Sequence, residues 1–358
     1  MESRTVEELF DFLKTDRKEI RTVVMPDLFL DRLINLECDT SGFSAILADI
    51  SRRKGGSIDG ITQTDLRGGN AVNTASALAA LGVNVTPIVC TNRHGLQLLR
   101  YYLGSHRVDL SHVKILAKAS LTTALELKSE SGIVNVMLRD LGSLADFGPE
   151  NLTNDDFELI EKADYVCLFN WAGTKNHGTE LARTVFQKVK AKGKGRTYFD
   201  TADPTPNREE IPEMMEHVIK TDLVDVLSLN ENEAVTYASL IGNEAGVKRD
   251  GKRFDELALE SARLLSKRLT ARIDLHTTSF SATFTKKGEA VVPAFKVKAL
   301  RATGAGDAWN AGNILGDASG LSAECRLMLA NAVAACYVSK LDGSHPTREQ
   351  LARFLENL

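Results

Sequence analysis

The apolar residues of this 358-residue chain follow two patterns. Short apolar runs, which are typical of buried strands, alternate with longer segments whose apolar residues recur at helical spacing. The strand-like runs cover residues 22–30, 83–90, 165–169, 197–199, 226–229 and 273–275. The helical segments cover residues 71–81, 180–190, 254–269, 305–315, 323–341 and 348–358. Because a helix between two strands lets them run parallel, we predict an α/β fold of three layers: a doubly wound, mainly parallel sheet with helices on both faces.

Two stretches interrupt this alternation, and we expect both to contribute strands to a small β lid. Residues 32–66 are polar and rich in turn-forming glycines, whereas residues 116–139 alternate between apolar and polar side chains as a half-buried strand does. The alternative is a pair of surface excursions. Because the sequence has no internal repeat or low-complexity linker, we expect residues 1–358 to form one domain that includes this lid.

Composition and charge limit the classes of partner. A hydrophobic fraction of 43% is enough for a large core, and a formal net charge of -4 gives no basic surface for nucleic acid or an anionic membrane. No apolar stretch approaches the roughly 20 residues of a spanning helix, and the acidic N-terminal segment lacks the apolar run of a signal peptide. The five scattered cysteines are typical of buried thiols in a reducing compartment. We therefore expect a cytoplasmic protein.

The segment Thr-Gly-Ala-Gly-Asp at residues 303–307 carries the most specific chemistry. It opens a predicted helix, so the backbone N–H groups of Gly304, Ala305 and Gly306 can turn toward one point at the positive end of that helix. Such a group of amides stabilises the negative charge of a transferring phosphoryl group. Asp307 can take the proton of a substrate hydroxyl. The segment indicates phosphoryl transfer to an alcohol with Asp307 as general base, whereas a tight turn with an aspartate cap is the alternative for these residues alone.

Two other nucleotide-binding motifs fail on spacing. A dinucleotide fingerprint needs a third glycine at the position of Trp309, which argues against a dehydrogenase. A P-loop needs serine or threonine after its glycine–lysine pair, and neither such pair in the chain is followed by one.

A second glycine-rich segment opens an earlier helix. Gly68 and Gly69 precede the helix predicted at residues 71–81, and a glycine pair lets a ligand approach the backbone closely. Asn70 and Asn73 follow, and the amide of Asn73 can both donate to and accept from neighbouring hydroxyl groups. We expect this segment to bind the substrate.

A third segment, Asn-Glu-Asn-Glu at residues 230–233, follows a predicted strand and alone would indicate only a helix-capping cluster. Together and in this order, the three segments resemble the ribokinase-like (PfkB-type) carbohydrate kinase family. That family carries Gly-Gly-x-x-x-Asn in its first third, Asn-x-x-Glu after a later strand and Gly-Ala-Gly-Asp near its end. The resemblance covers nearly the whole chain. It implies a ribokinase-like fold and an ATP-dependent carbohydrate kinase, with a small sugar or polyol and a nucleotide as ligands.

The resemblance also implies residues that bind the metal and the nucleotide. Asn230 and Glu233 lie three apart at a helix start and face one way, so we expect them to bind Mg²⁺ and its waters beside the phosphates. The hydroxyl groups of Thr277 and Thr278 are candidates for phosphate contacts. Asn331 lies near the position where relatives pack the adenine, although a core amide is the alternative.

Further substrate-binding candidates lie at strand ends. The family places an acid that receives substrate hydroxyls at the position of Asp31, and Asp27 lies four residues earlier on the same side. The alternative for Asp31 is an ion pair with Arg32 or Arg67. Asn170 follows another strand, at the edge where open α/β sheets bind ligands.

Two departures from the family pattern affect the expected ligands. Family members usually carry Asp-Thr-Thr before Gly-Ala-Gly-Asp, whereas this chain reads Arg-Ala-Thr at residues 301–303. The missing carboxylate puts in doubt the monovalent cation site that some relatives build there, and the guanidinium group of Arg301 could take the place of that cation. The nucleotide loop at residues 276–282 also lacks the usual glycine pair.

These observations leave one leading function and two alternatives. The leading function is Mg²⁺-dependent phosphoryl transfer from ATP to a hydroxyl of a small sugar or polyol. A nucleoside kinase of the same fold is the nearest alternative, and its substrate would need an apolar or aromatic wall. The altered loops also allow a non-catalytic nucleotide or sugar binder, although such a protein has no need of a base at Asp307. The sequence is also compatible with a homodimer.

Overall fold

The computed structural model describes residues 3–15, 19–104, 107–129, 132–192, 194–241, 253–301 and 303–357. Its strands are β1 (Arg21–Met25), β2 (Phe29–Asp39), β3 (Thr62–Gly68), β4 (Asn84–Pro87), β5 (Cys90–Thr91), β6 (Lys114–Ile115), β7 (Ser120–Ser129), β8 (Gly132–Asp140), β9 (Tyr165–Phe169), β10 (Arg196–Asp200), β11 (Val226–Leu229), β12 (Arg272–His276), β13 (Phe280–Thr285) and β14 (Gly288–Pro293). Its helices are α1 (Ser3–Lys14), α2 (Thr40–Arg52), α3 (Asn70–Ala80), α4 (Arg93–Leu103), α5 (Asn154–Lys162), α6 (Gly178–Lys192), α7 (Ile211–Met214), α8 (Glu231–Ile241), α9 (Phe254–Arg268), α10 (Ala305–Ala318), α11 (Ala323–Val338) and α12 (Arg348–Glu356).

The large sheet, as far as the described residues show it, has eight strands in the order β14-β13-β12-β11-β10-β9-β1-β4. Neighbours from β4 to β12 run parallel, and β13 and β14 form an antiparallel hairpin at one edge. The prediction of a mainly parallel sheet is therefore confirmed. Because parallel strands end at the same edge, segments far apart in sequence meet there.

Side chains of the sheet point alternately to its two faces, and helices cover both. On β9, Tyr165, Cys167 and Phe169 pack in one apolar cluster with residues of α3, α10 and α11. Val166 and Leu168 pack in a second cluster with residues of α5, α6 and α9. This arrangement gives the three layers that the sequence predicts. Among the described helices, none has the length and apolar character needed to cross a membrane.

A second sheet, in the order β3-β2-β7-β8, forms the lid. Its strands lie in the two stretches where the sequence indicates a lid, but β2 begins earlier, at Phe29, and β3 ends later, at Gly68. Residues 130 and 131 of the second stretch lie outside the described residues. Since β2 and β3 continue directly into the loops at the edge of the large sheet, the lid is attached beside the candidate site.

Helix α2, inside the first lid stretch, differs from the strands predicted there. The side chain of Asp39 caps its N-terminus by accepting a hydrogen bond from the backbone N–H three residues later, at 2.7 Å. The apolar residues of the helix recur at helical spacing and lie at Phe43, Ile46, Leu47 and Ile50. The small and polar residues between them obscure this periodicity in the sequence.

The apolar run at residues 22–30 forms parts of two strands instead of one. Strand β1 ends at Met25, a cis peptide bond joins Met25 to Pro26, and the chain then enters the lid as β2. This turn leaves Asp27 at the edge of the large sheet and carries Asp31 into the lid. The two acids, which the sequence groups together, therefore belong to different sheets.

Candidate active site

Asp307 lies where the first turns of α3 and α10 meet. The side-chain amide of Asn70 donates a hydrogen bond to Oδ1 of Asp307 at 2.9 Å, and that of Asn73 donates to Oδ2 at 2.9 Å. The carboxyl group is 5% exposed, so these two amides fix its orientation. The Gly-Gly-x-x-x-Asn and Gly-Ala-Gly-Asp segments, which are more than 200 residues apart in sequence, thus form one site.

The backbone before Asp307 requires glycine at position 304 and leaves little room for a side chain at position 306. Gly304 has φ 86°, in the left-handed region, and a Cβ there would lie 2.6 Å from Oη of Tyr337. At Gly306 a Cβ would lie 3.2 Å from Cε1 of His276. Since the first N–H groups of a helix have no partner inside it, the N–H groups of Ala305 and Gly306 at the start of α10 are compatible with the predicted anion hole, which stays a prediction.

Burial makes Asp307 a stronger base than an exposed aspartate. Burial raises the pKa of its carboxyl group well above the usual range, the negative charges of Asp200 and Asp27 raise it further, and the amides of Asn73 and Asn70 oppose the rise. A carboxylate with a raised pKa accepts a proton from a hydroxyl group more readily. The site therefore combines a fixed orientation with increased basicity.

One carboxylate oxygen of Asp31 accepts no hydrogen bond from the described residues. This oxygen, Oδ1, is buried. The carboxyl group as a whole accepts a hydrogen bond from Thr122 and lies near the positive charge of Arg139. Burial raises the pKa of Asp31 to about 6. A Cβ at Gly68 would overlap this carboxylate, which explains the glycine. A buried acceptor without a donor is what a hydroxyl-binding site presents in the absence of its ligand.

Asp31 forms no ion pair with Arg32 or Arg67, the alternative for this residue. Arg32 pairs with Asp65, with Nε and Oδ1 2.6 Å apart, on the surface of the lid. Arg67 binds the carbonyl oxygen of Gly343 at 3.2 Å. Asp31 is thus left facing the loop that contains Gly68.

Asp27 and Asn170 are engaged within the protein, which argues against the direct substrate contacts predicted for them. Asp27 accepts hydrogen bonds from the backbone N–H groups of Asn70 and Ala71 at 2.9 and 2.8 Å, and from the amide of Asn170 at 2.8 Å. It caps the start of α3, where Gly69 has φ 95°. Both side chains therefore hold the loop that positions Asn70 and Asn73.

A cavity of about 220 Å³ opens beside Asp307 at the carboxyl edge of the sheet. Its polar lining, besides the motif residues, includes His276, the first residue of the predicted nucleotide loop, and Asp200 and Asp203, which the sequence analysis does not assign to the site. Each follows or ends a parallel strand, and this position is the signal that could have identified them. The cavity is large enough for part of a ligand next to the base.

Asn230 and Glu233 line the same cavity but also bond to each other. The backbone N–H and side-chain amide of Asn230 donate to the two carboxylate oxygens of Glu233 at 2.9 and 2.8 Å, and Glu233 N–H donates to Oδ1 of Asn230 at 3.0 Å. Burial, followed by the charge of Asp200, raises the pKa of Glu233 well above its usual value. These bonds are those of the helix cap that is the alternative for the segment, and the predicted binding of Mg²⁺ by the two residues stays a prediction.

Of the three further residues predicted to contact the nucleotide, two are hydrogen-bonded within the protein and one is exposed. The hydroxyl of Thr277 donates to the carbonyl of Phe280 at 2.8 Å, and Thr278 is exposed. Asn331 accepts from Nε1 of Trp309 at 3.0 Å and donates to the carbonyl of Pro293 at 3.1 Å. With both ends bonded and 5% exposure, Asn331 is a satisfied core amide in this structure.

Arg301 lies at the base of the loop that carries the amides. Its guanidinium carbon lies 4.8 Å from the centre of the Tyr337 ring, and a Cβ at Gly343 would overlap the guanidinium group. Ala302, the next residue, lies outside the described residues. A permanent positive charge is therefore present beside the loop, and its replacement of a monovalent cation stays a prediction.

The fold brings the Gly-Gly-x-x-x-Asn and Gly-Ala-Gly-Asp segments together at one edge of the large sheet. In a comparison with known protein families, residues 43–350 match the family described as "pfkB family carbohydrate kinase". The chain belongs to this family. The predicted recognition, fold class and enzyme class are therefore confirmed.

The individual relatives are distant. The chain is 23% identical over 296 residues to ribokinase of Haemophilus influenzae, covering 81% of this chain and 87% of that protein. It is similar in structure to Arabidopsis thaliana ribokinase complexed with ribose and ATP (TM-score 0.66, 19% identity, 95% of this chain and 99% of the other). It is also similar to adenosine kinase from Sinorhizobium meliloti (TM-score 0.69, 18% identity, 95% and 99%). Sugar and nucleoside kinases are thus both represented among similar structures.

The raised pKa of Asp31 predicts a pH dependence of acceptor binding. An ionised carboxylate accepts a hydroxyl hydrogen bond best, so affinity should be full above the pKa of about 6 and weaken as the pH falls through it. We would measure the dissociation constant of the best acceptor by calorimetry between about pH 8 and about pH 5. These measurements use the Asp307→Asn variant, so that titration of Asp307 does not contribute to the pH dependence.

In that background, Asp31→Asn should weaken binding by about one to two decades at neutral pH and abolish the pH dependence. Asp65→Asn, an exposed aspartate of the same lid, is the matched control and should change neither. Affinity that is independent of pH while Asp31 is intact would contradict the assignment.

Proposed function

We propose that the protein transfers the γ-phosphoryl group of ATP to a hydroxyl group of a small sugar or polyol, with Asp307 as the general base and the amides of residues 304–306 as the anion hole. The observation that carries this proposal is the contact of Asn70 and Asn73 with Asp307, at 2.9 Å each. It brings the substrate-binding loop and the catalytic loop to one point.

In the proposed reaction, the reacting hydroxyl donates to the carboxylate of Asp307, and another hydroxyl of the acceptor donates to Oδ1 of Asp31. The oxygen of the reacting hydroxyl forms a bond to the γ-phosphorus while the bond from that phosphorus to the bridging oxygen of ADP breaks. The hydroxyl proton passes to Asp307, and the amides of Gly304, Ala305 and Gly306 stabilise the charge on the transferring group.

The charges of the cavity favour a cation with the nucleotide. Burial raises the pKa of Asp200, Glu233 and Asp307, and Asp200 contributes to the rise at both of the others. Among the described residues no three acids, histidines or cysteines are grouped closely enough to hold a metal by themselves. This donor set fits Mg²⁺, which commonly keeps several waters and binds one or two carboxylates together with phosphates.

Glu233 and Asn230 would hold the ion through its waters, and Asp203 lies beside them on the cavity lining. When bound, Mg²⁺ supplies positive charge that neutralises the phosphate oxygens during transfer.

The two aromatic residues that the sequence suggests as a wall for a nucleoside base, Phe29 and Trp171, favour a small acceptor instead. Phe29 is 3% exposed and lies under the guanidinium group of Arg139, 4.8 Å from the ring centre. Trp171 is 2% exposed and donates to Thr179 at 3.1 Å. Neither offers an open face on which a base could stack. The similarity to an adenosine kinase structure keeps the nucleoside as the second candidate, and a panel of sugars, polyols and nucleosides tests it by ADP release.

Asp307→Asn should lower kcat by on the order of 10²-fold or more, because an amide keeps the shape of the side chain but cannot accept the proton. The affinity for ATP should change little. Steady-state kinetics with the best acceptor from the panel measure both. Asp155→Asn, an exposed aspartate of α5, is the control, and a folded Asp307→Asn variant within a few-fold of wild-type turnover would exclude Asp307 as the base.

Glu233→Gln should raise the Mg²⁺ concentration that gives half-maximal activity by several-fold, since it removes one negative charge from the cavity. The titration is done at constant free ATP, with Glu216→Gln on an exposed helical turn as the control for charge alone. An unchanged Mg²⁺ requirement in a folded Glu233→Gln protein would show that Glu233 is only a helix cap.

A further inference from the structure

The lid carries an arginine that the proposed mechanism does not use, Arg139 of β8. In the strand register, Arg139 lies opposite Thr122 of β7, and Thr122 lies opposite Asp31 of β2. Side chains of directly opposite residues lie on the same face of a sheet. The carboxylate of Asp31, the hydroxyl group of Thr122 and the guanidinium group of Arg139 therefore form a row across the lid.

This row lies on the face of the lid that is turned toward the large sheet. Phe29 lies two residues before Asp31 on the same side of β2, is 3% exposed and packs in an apolar cluster with residues of β1 and β9. Arg32, next to Asp31 in the strand, lies on the opposite face and pairs with Asp65 at the surface. A ligand between the lid and the edge of the large sheet therefore meets the row.

The guanidinium group of Arg139 is held in place but has no anionic partner. Its central carbon lies 4.8 Å from the centre of the Phe29 ring, which is the distance of a cation–π contact. Arg139 is exposed and forms no ion pair within the described part of the chain. Stacking on an aromatic ring occupies the flat face of a guanidinium group and leaves the N–H groups at its edge available. The ring of Phe29 thus orients a cation that still has hydrogen-bond donors to offer.

The opposite end of the row accepts hydroxyl groups. Oδ1 of Asp31 is buried and accepts no hydrogen bond from the described residues, whereas Thr122 donates to the same carboxyl group. Burial raises the pKa of Asp31 to about 6, and the hydrogen bond from Thr122, followed by the charge of Arg139, opposes this rise. One end of the row therefore accepts hydrogen bonds, and the other end donates them and is positively charged.

A polyhydroxylated acid matches both ends. Neighbouring strands lie about 4.8 Å apart, so the backbones of Asp31 and Arg139 are separated by about 10 Å. A sugar-sized carbon chain bridges this distance with a hydroxyl group at one end and a carboxylate at the other. A guanidinium group binds a carboxylate through two parallel N–H groups, and such charge-assisted hydrogen bonds are about twice as strong as neutral ones. A neutral sugar leaves the guanidinium group without an acceptor.

The charges around the row favour a carboxylate over a phosphate ester. Asp27 and Asp31 both lie close enough to Arg139 to interact with its charge, so the positive charge at this point is partly offset. A phosphate ester carries a charge of about −1.5 to −2 at neutral pH. One partly offset arginine does not balance that charge, whereas it suits the single negative charge of a carboxylate.

We propose that the acceptor is a sugar acid whose carboxylate binds to Arg139 while one of its hydroxyl groups binds to Asp31. Arg139 then determines the specificity for an acidic acceptor over a neutral one. This inference rests on the proposed function for the place of the acceptor, and it adds the chemical class of that acceptor.

The direct test is calorimetric titration of the Asp307→Asn variant at about pH 8, where Asp31 is ionised, with a panel of aldonic acids and the alditols of the same carbon chains. The pairs include gluconate with glucitol and ribonate with ribitol. We expect the best acid to bind at least about tenfold more tightly than its alditol, because only the acid pairs with the guanidinium group. Since Arg139 is exposed, this preference should decrease as the ionic strength rises.

Substitutions in the same background assign the preference to one side chain. Arg139→Gln should weaken binding of the acid at least about tenfold and leave the alditol within about twofold. Arg139→Lys keeps the charge but loses the paired N–H groups, so its affinity for the acid should lie between the two. Arg32→Gln, which removes a charge from the opposite face of the same lid, is the matched control and should change neither affinity.

Three results would overturn the proposal. The first is an equal effect of Arg139→Gln on acid and alditol, which a merely structural role of the arginine would give. The second is a lack of measurable binding of every acid in the panel. The third is a loss of affinity in Arg139→Gln for a phosphate ester of the alditol but not for the acid, which would identify the anionic group as a phosphate.

Steady-state kinetics with ATP separate this inference from the proposed function. Arg139→Gln should lower kcat/KM at least about tenfold for the acid but not for neutral acceptors, with the KM for ATP unchanged. If the acids bind through Arg139 but no acceptor releases ADP, the proposed reaction is wrong and the acid site stands. If neutral sugars are phosphorylated and Arg139→Gln has no effect on any acceptor, the reaction stands and the acid site is wrong.

Discussion

The orientation of one buried carboxylate, that of Asp307, is the constraint on which the rest of the site depends. The amides of Asn70 and Asn73 hold its two oxygens at 2.9 Å each, and both amides belong to the first turn of a helix from the other end of the sequence. The carboxylate of Asp27 caps this first turn of the helix, and the side-chain amide of Asn170 donates a hydrogen bond to the same carboxylate. Asp27, Asn73, Asn170 and Asp307 are buried and Asn70 is partly buried, so removal of one member leaves its partners with unsatisfied polar groups.

The same edge of the sheet collects negative charge, and this has a functional consequence. Burial raises the pKa of Asp27, Asp200, Glu233 and Asp307, so the ionised form of each carboxyl group is disfavoured at this edge of the sheet. The positive ends of α3 and α10 offset part of it. A cation that enters with the nucleotide would offset more, which links the proposed metal dependence to the basicity of Asp307.

The sequence predicts the parts of this site that depend on local backbone geometry. The glycines at 68, 69 and 304 follow from the need for positive φ or close approach, and the order of the motifs indicates the family. The sequence does not predict contacts between residues that are distant along the chain, such as the capping of α3 by Asp27 or the hydrogen bond between Asn331 and Trp309. An aspartate or asparagine at a strand end or in a helix has the same local pattern whether it binds a ligand or the protein, and only the three-dimensional neighbours decide between them.

The measurement that tests the central claim most directly is a double-mutant cycle of kcat between Asn73→Ala and Asp307→Asn. If Asn73 acts by orienting the base, Asn73→Ala should lower kcat by about 10- to 100-fold in the wild type and have almost no effect once Asp307 is asparagine. Urea unfolding of all four proteins separates this coupling from a loss of stability. Equal effects of Asn73→Ala in the two backgrounds would show that the two residues act independently and would contradict the account.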